Sequence, residues 1–455
     1  MSETAPGSWA VLESADQRRF HRKVTLLASA GTFLDGYDLA VIGVALPVLT
    51  KQWHLSAGYA APLAASAVVG MLIGALVVGR LTDALGRKAM YLADLAGFVL
   101  FALLTSVAAD VWQLMVFRFL LGLALGADYP ISATLLAEYA PAASRGAMMC
   151  RMGAAWFAGS ATAYVIGAAL SPLGGWGWRL MLLLGAVFAV AVIWLRRSVP
   201  ESPRWLRAAG RDDDVATVLA YLSGDQAGSS RVAAPGVSGR RAPKVNPWRV
   251  LLTPPVLRRT VFCCAFWAVY TTAYYGITIY TPTILNQLTK SSWQASIGSA
   301  VVGVIGLVGA GIGIQLVDRI GRRPLIITAF AGLTLSLAVL ALTESSGLVV
   351  ALLLALGVMC ANGGPGILDF LYPTELLPTE ARATGTGLAT AVSRVGGILG
   401  IVVFPGLVAA WGISNALWLF VACGAAGTVI CLAMAPETKG RSLEELSLAA
   451  RSTVR

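Results

Sequence analysis

Twelve apolar segments of about twenty residues recur along nearly the whole chain and constrain its fold more than any other feature. A helix of roughly 20 residues is long enough to cross the hydrocarbon core of a bilayer, about 30 Å thick. Of the 455 residues, 57% are hydrophobic and 13% are charged. In soluble domains about a quarter of all residues are charged. The mean hydropathy is +0.74. The sequence therefore predicts an all-α integral membrane protein with twelve transmembrane helices.

The apolar segments form two groups of six, separated by a polar stretch. The predicted spans lie near 24–50, 59–80, 89–109, 111–138, 147–171, 177–195, 260–286, 295–317, 324–343, 347–371, 383–410 and 413–434. The first group predicts an N-terminal six-helix bundle over 24–197, and the second predicts a C-terminal bundle over 257–435. The remaining segments are expected to be a cytoplasmic N-terminal tail (1–23), a cytoplasmic linker (198–256) and a cytoplasmic C-terminal tail (436–455).

Basic residues lie almost entirely on one predicted side of the membrane. With both termini placed in the cytoplasm, all but five of the 34 Lys and Arg fall inside; the exceptions are Lys51, Arg179, Lys290, Arg118 and Arg394. Cytoplasmic loops of membrane proteins carry such an excess of basic residues. The net charge of +11 is therefore explained by topology in a lipid bilayer, and no nucleic acid partner is expected. We expect a multi-pass protein of the cell membrane, acting as a monomer.

An internal repeat relates the two groups of spans. Four motifs recur at a nearly constant offset along the chain: Asp83-x-x-Gly86-Arg87-Lys88 with Asp318-x-x-Gly321-Arg322-Arg323, Glu138-x-x-Pro141-x-x-x-Arg145 with Glu375-x-x-Pro378-x-x-x-Arg382, Pro200-Glu201-Ser202 with Pro436-Glu437-Thr438, and Pro47 with Pro282. One match could arise by chance, but four in the same order indicate two homologous halves. Parallel halves with a solute site between them near the midplane are typical of one large group of secondary transporters.

The repeated loop motifs pair carboxylates with arginines at predicted helix ends. The pairs are Asp83 with Arg87, Glu138 with Arg145, Asp318 with Arg322, and Glu375 with Arg382. Ion pairs at these places could lock the two halves together on the inner side and would break when the inner gate opens. The alternative is that the basic loops only determine topology. We favour gating ion pairs, because topology would not need the carboxylates.

The first span carries two carboxylates, Asp35 and Asp38, within an apolar run. Three residues apart, they share one face of a helix. Ionisable side chains inside a membrane are costly, and they usually mark ion or solute handling. The repeat offset places Tyr270 and Ala273 at the matching positions of the second half. The acid pair is therefore specific to the first half, which favours a functional role.

Two sets of loop residues resemble a known family. The run G-R-L-T-D-A-L-G-R-K over Gly79–Lys88 matches the loop 2–3 signature of the major facilitator superfamily, although the second copy has Ile314 in place of the opening glycine. Pro200–Leu206 and Pro436–Gly440 are similar to sugar-porter signatures. The chain resembles the branch of sugar porters, organic-acid:proton symporters and organic-ion transporters. This resemblance implies two pseudo-symmetric six-helix bundles, alternating access, and the proton as coupling ion with no other cofactor.

The resemblance also implies a protonation pair. The sequence Gly36-Tyr37-Asp38 looks like the first-helix motif of proton-coupled sugar porters, and the spacing from Arg118 to Glu138 matches that family. A buried carboxylate holds a proton more readily when no cation is near it, so a moving Arg118 could bind or release a proton at Asp38. The alternative is a permanent structural ion pair. Asp128, in a stretch that resembles the phosphate-symporter signature, is a candidate second protonation site.

Arg394 lies near the middle of the eleventh predicted span, where a cation needs an anionic partner. Its position resembles that of the helix-eleven arginine in organic-anion transporters and aromatic-acid symporters. We favour solute-anion binding; the alternative is pairing with Glu375 or Asp369. Gly and Pro residues over 361–366 are expected to break the tenth span, which exposes polar backbone groups. Further candidate solute contacts are Asn362, Trp156, Trp267, Tyr274, Tyr275 and Tyr280.

These patterns predict a proton-coupled symporter for a small organic solute, with an organic or aromatic acid anion favoured. The first alternative is a proton-coupled sugar symporter, and a drug or metabolite antiporter and a non-transporting nutrient sensor also remain open. Phosphate is disfavoured because the seventh span lacks an acid. An enzyme is not expected, because the two histidines, His21 and His54, belong to no metal or nucleophile constellation.

Overall fold

The computed structural model describes residues 18–85, 87–139, 145–196, 246–288, 292–343, 347–378 and 381–440. These ranges are almost entirely helical. The first half forms α1 (Arg18–Gln52), α2 (Ala57–Leu85), α3 (Arg87–Ser106), α4 (Val111–Tyr139), α5 (Arg145–Leu170) and α6 (Gly175–Arg196), with a 3-10 turn at Ser171–Leu173. The second half forms α7 (Pro247–Leu251), α8 (Pro254–Leu288), α9 (Ser292–Ile320), α10 (Arg322–Leu342), α11 (Gly347–Gly363), α12 (Pro365–Leu376), α13 (Arg382–Ala416) and α14 (Trp418–Met434).

The predicted spans correspond to these helices, with α11 and α12 together forming the tenth. Within the described part of the chain, nine helical stretches are long and apolar enough to cross a membrane. Three shorter apolar stretches, 93–106, 111–126 and 418–434, belong to α3, α4 and α14. The prediction of an all-α membrane fold with six plus six spans is confirmed. The first and seventh spans begin earlier than predicted, at Arg18 and Pro254.

The helix bounds repeat as the motifs do. In the first half α1 begins at Arg18, and in the second half α8 begins at Pro254; both helices are 35 residues long. The next helices, α2 and α9, begin at Ala57 and Ser292, and both are 29 residues long. The offset between the starting residues is nearly the same for the two pairs of helices. The prediction of two homologous halves is therefore supported by the helices themselves.

Glycines allow helices within each half to approach backbone to backbone. A side-chain carbon at Gly36 of α1 would collide with the backbone of Trp156 in α5, and one at Gly159 of α5 would collide with the backbone of Phe33 in α1. In α2 and α4, Gly70 and Gly122 have the same role. Membrane helices pack through small residues of this kind because lipid supplies no hydrophobic force between them.

The tenth span is broken, as predicted from its Gly and Pro residues. α11 ends at Gly363 and α12 begins at Pro365, while Gly364 between them has a non-helical φ of −118° and ψ of −91°. Proline suits the first helical position because its missing N–H would be unpaired there anyway. α12 lies almost wholly buried, and the break is thus held inside protein, where irregular backbone at membrane depth is tolerated.

The two halves contact each other on both sides of the molecule's centre. α5 contacts α9 and α12, α1 contacts α8, and α2 contacts α13. Toward the side on which α1 begins and α14 ends, which we call the terminal side, Gly153 faces Phe370. Toward the opposite side, the Tyr164 hydroxyl donates to the Thr278 carbonyl. The space between these contacts contains the candidate site.

The glycine contacts give a prediction of stability. Gly159→Ala should lower the apparent melting temperature in detergent, because its methyl group would push α5 away from Phe33 and Tyr37; overpacking of this kind costs about 1–3 kcal/mol. The control is Gly311→Ala in α9, where no atom lies within 4 Å of the added carbon. There the helix should gain up to about 1 kcal/mol. Equal destabilisation by both substitutions would contradict the packing described.

Candidate functional site

Asp38 and Arg118 form a buried ion pair between α1 and α4. Arg118 Nη2 lies 3.1 Å from Asp38 Oδ2, and Nη1 lies 3.5 Å from Oδ1. Nη2 also donates to the Asp38 carbonyl at 3.2 Å. Arg118 is 0% exposed and Asp38 is 4% exposed. The structure thus brings together the two residues predicted to pair, and truncating one partner of such a pair leaves a buried charge at a cost of roughly 3–5 kcal/mol.

Asp35 is also buried, but it faces a different neighbourhood. It lines a small cleft between α1, α3 and α4 that also contains Asp94, Phe98 and Leu125. Asp94 is buried as well, and its Oδ1 accepts from the Leu95 amide at 2.6 Å. The first half therefore holds two acidic places, one at the ion pair and one at this cleft. The side chain of Asp128 lies outside those that the structure describes.

Arg196 is a buried cation that sequence reasoning places among the loop charges. It is 1% exposed at the end of α6. Its Nε donates to the Leu27 carbonyl at 3.3 Å, and its Nη2 donates to Ser132 Oγ at 3.4 Å. These bonds tie α6 to α1 and α4. No sequence pattern distinguishes Arg196 from its exposed neighbours at the helix end.

A cavity between the halves contains Arg394. It has a volume of about 30 Å³ in this conformation and is lined by residues of α5, α8, α12 and α13, including Trp156, Trp267, Tyr275 and Asp369. We call it the charged cavity, after Arg394 and Asp369. The Arg394 guanidinium donates to the Tyr275 hydroxyl. The rings of Trp156 and Tyr275 stack with centroids 5.9 Å apart and form part of the wall.

The sequence left two carboxylates, Glu375 and Asp369, as alternative partners of Arg394. Glu375 is engaged elsewhere, because its Oε1 accepts from Arg322 at 3.2 Å and its Oε2 accepts from Thr438 at 2.5 Å. Asp369 lines the same cavity as Arg394, but among the described residues no ion pair within 4.0 Å joins them. Arg394 therefore faces the cavity without a carboxylate at ion-pair distance in the described structure.

A second, smaller cavity of about 10 Å³ adjoins the first. Its polar lining consists of Ser160, Tyr164, Tyr274, Thr278 and Asn362, and we call it the hydroxyl cavity. Both cavities share Phe157 and Tyr274 in their walls. Asn362, a predicted solute contact, lies here at the end of α11, just before the helix break.

Tyr280 lies in neither cavity. Its hydroxyl donates to the Ile401 carbonyl at 3.0 Å, and its ring packs on Phe404 with centroids 5.4 Å apart. It holds α8 against α13, so the structure does not support it as a solute contact. The other aromatic candidates, Trp156, Trp267, Tyr274 and Tyr275, all line the charged cavity. Sequence reasoning missed Ser160, Thr278 and Tyr270, since nothing in their local pattern sets them apart.

The second-half loop motif forms a network on the terminal side. Arg322 pairs with Asp318 at 3.0 Å and with Glu375 at 3.2 Å. Thr438 then donates to Glu375 at 2.5 Å. These contacts join α9, α10, α12 and the segment after α14, all within one half. Each of these charges finds its partner within its own bundle, so among the described residues no ion pair of Asp318, Arg322 or Glu375 joins the two halves in this conformation. Their gating role stays a prediction.

The other predicted gating residues differ from this pattern. Arg382 donates through Nε to the Leu377 carbonyl at 3.3 Å. The side chains of Asp83, Arg87, Glu138 and Arg145 lie outside those that the structure describes, so their predicted ion pairs remain predictions.

Glu437 completes the terminal-side network by capping α10. Its carboxylate accepts from the backbone amides of Arg322 (3.1 Å), Arg323 (3.0 Å), Thr438 (3.0 Å) and Lys439 (2.9 Å). Partial burial acts against the charged form, but the four amides outweigh it and lower the pKa of the Glu437 carboxyl below its usual range. A carboxylate at a helix N-terminus is also favoured by the helix dipole.

Glu437→Gln should therefore lower the melting temperature at neutral pH. Because the pKa is lowered by folding, the charge contributes its stability above the pKa of a free glutamate, about 4.3, and loses it as the pH falls through the lower value in the folded protein. The difference between wild type and variant should be constant from about pH 7 to pH 5 and shrink below about pH 4. Asp110→Asn, at an exposed cap that asparagine also satisfies, is the control. A difference that grows on acidification would contradict this assignment.

Comparison with known proteins agrees with the fold. Residues 24–449 match the family model "Sugar (and other) transporter". YaaU of Escherichia coli (strain K12) is 32% identical over 428 residues, which cover 94% of each chain. The major myo-inositol transporter IolT of Bacillus subtilis (strain 168) is 28% identical over 95% of each chain. A solved structure of the proton:xylose symporter XylE has a TM-score of 0.76 at 23% identity and covers 95% of this chain and 99% of its own. The protein belongs to the sugar (and other) transporter family and is a membrane transporter of the major facilitator fold rather than an enzyme.

Proposed function

We propose that this transporter is a proton-coupled symporter of a small organic solute that carries an anionic group. The observation that carries the proposal is the position of Arg394, a buried guanidinium facing a cavity between the two halves. A cation at membrane depth needs an anionic partner. Asp369 shares the cavity but lies beyond ion-pair distance, so we assign the place of that partner to a solute anion that enters when the halves separate. We place the protein in the cell membrane with both termini in the cytoplasm.

Proton coupling is assigned to the Asp38–Arg118 pair. Its carboxylate is buried, and its stability as an anion depends on the guanidinium beside it. A shift of α4 relative to α1 during alternating access would weaken the pair and favour a proton on Asp38; restoring the pair would release that proton. We assign Asp35, which is buried in its own cleft with Asp94, to the same proton path.

A neutral sugar or polyol is the second candidate solute. Three similar proteins favour a neutral solute, since they are named as a myo-inositol transporter, an arabinose-proton symporter and a proton:xylose symporter. The hydroxyl cavity also favours it, because Ser160, Thr278 and Asn362 can bond sugar hydroxyls. A purely neutral solute is disfavoured, because it would bring no anion to pair with the Arg394 guanidinium.

The coupling assignment predicts a separation of two activities. Asp38→Asn in proteoliposomes should lose most of its pH-driven solute accumulation, because the pair can no longer exchange a proton. It should retain solute counterflow, because exchange of solute for solute needs no net proton movement. The uptake panel consists of quinate, cyclohexanecarboxylate and myo-inositol.

The matched control is Asp318→Asn, which removes a mostly exposed carboxylate that lines neither described cavity and should leave the ratio of pH-driven uptake to counterflow unchanged. Full pH-driven accumulation by Asp38→Asn would show that the proton is carried elsewhere.

The solute assignment predicts a charge-dependent loss of affinity. Arg394→Gln should weaken binding of the two acids roughly 10- to 100-fold, since a hydrogen bond to a charged group contributes about 1.5–3 kcal/mol. Binding of myo-inositol should change far less. Titration calorimetry or a ligand-induced shift in melting temperature measures both effects. Equal loss of the acids and the neutral polyol would exclude the anionic role and favour the sugar alternative.

A further inference from the structure

The charged cavity and the hydroxyl cavity are neighbouring cavities between the halves. Phe157 and Tyr274 belong to the wall of both. The first contains Arg394 and Asp369, and the second contains Thr278 and Asn362 near the helix break. When the halves separate, a solute larger than one functional group could reach polar groups of both cavities at once.

Three buried oxygen atoms in this space have no hydrogen-bond partner among the described residues. They are Oδ1 of Asp369 in the charged cavity, and Oγ1 of Thr278 and Oδ1 of Asn362 in the hydroxyl cavity. The three residues are 7%, 4% and 2% exposed. A buried polar atom that stays unpaired is costly, and native structures contain few of them. Their concentration in two adjoining cavities points to a ligand that pairs with them.

The shortage in these cavities is one of hydrogen-bond donors. Carboxylate and amide oxygens only accept, and the Thr278 hydroxyl can do both. The Tyr274 hydroxyl lies in the same cavity as Thr278 and Asn362. Because a tyrosine hydroxyl has one hydrogen, it can satisfy at most one of these groups. The solute must therefore bring several donors, while Arg394 requires that it also bring an anion.

We propose that the two cavities form one solute site and that the solute is a hydroxylated carboxylic acid, such as a sugar acid or a cyclic polyhydroxy acid. Its carboxylate binds Arg394. Its hydroxyls donate to Asp369, Asn362 and Thr278. This inference rests on the proposed function, and it adds Asp369 and Thr278 to the solute contacts.

Other solute classes fit the donors and acceptors less well. An aromatic acid without hydroxyls would pair with Arg394 but leave all three oxygens unpaired. A neutral polyol would serve the three oxygens and leave the guanidinium without an anion. The ammonium group of an amino acid donates from a single point, whereas the acceptors are divided between the two cavities. A hydroxylated acid can pair with Arg394 through its carboxylate and donate to the three oxygens through its hydroxyls.

Three six-membered-ring compounds test the proposal directly in the purified full-length protein. Quinate carries a carboxylate and several hydroxyls, cyclohexanecarboxylate carries the carboxylate alone, and myo-inositol carries hydroxyls alone. The dissociation constants are measured by titration calorimetry. The proposal predicts that quinate binds at least about tenfold more tightly than either of the others, since each added hydrogen bond contributes about three- to tenfold.

The possible results separate this inference from the proposed function. If cyclohexanecarboxylate binds as tightly as quinate, the inference is overturned while the anionic solute stands. If myo-inositol binds as tightly as quinate, the anionic solute is overturned as well and the sugar alternative is favoured. Binding of none of the three compounds would overturn the proposed class.

A variant of Thr278 tests the contact itself. Thr278→Val keeps the shape of the side chain and leaves the backbone carbonyl that accepts from Tyr164 in place. It should weaken quinate binding about three- to tenfold and leave cyclohexanecarboxylate unchanged. The matched control is Thr281→Val, one turn along α8, whose hydroxyl donates to the Ile277 carbonyl and lines neither cavity.

Two results would contradict a direct contact between Thr278 and the solute. One is an equal effect of both variants on quinate binding, and the other is no effect of Thr278→Val. If Thr278→Val does not fold, Ser160→Ala removes a neighbouring hydroxyl of the same cavity and is read by the same criteria.

Discussion

The cost of burying charge in a membrane protein organises this structure. Each buried cation must find compensation inside the protein, in a ligand, or through loss of charge on a partner. Arg118 finds Asp38 at 3.1 Å, and Arg196 bonds to the Leu27 carbonyl and Ser132. Arg394 instead faces a cavity between the halves. In the proposed function, this difference separates the ion pair that the protein forms internally from the charge that binds the solute.

The two halves share one scaffold but carry different buried charges. The helix bounds of α8 and α9 follow those of α1 and α2 at a nearly constant offset, so both halves share one scaffold. The functional charges break this symmetry, since the acid pair belongs to the first half and Arg394 belongs to the second. Alternating access moves the halves against each other around the space between them. The proposed function couples a proton site in the first half to an anion site in the second through that movement.

Residue patterns along single helices predicted most of the fold and part of the site. Apolar spans, loop motifs and the Gly-Pro break are local signals, and an acid or arginine in an apolar run stands out because burial makes it costly. The lining of a cavity depends on which helix face turns toward the other half. Thr278 lines it and Tyr280 does not, because side chains two positions apart point to nearly opposite sides of a helix. The loop motif predicted the pair of Arg322 with Asp318, but it did not predict the second partner, Glu375, which an adjacent helix of the same half brings to Arg322.

Simultaneous measurement of proton and solute flux tests proton coupling most directly. Proteoliposomes are suspended in weakly buffered medium that contains a pH-sensitive dye, and quinate is added to this medium with no imposed pH gradient. The same measurement with myo-inositol tests the neutral alternative. Symport predicts that uptake makes the external medium more alkaline and that a protonophore abolishes this change while uptake continues. Solute uptake with no change in external pH would contradict proton coupling through the buried Asp38–Arg118 pair.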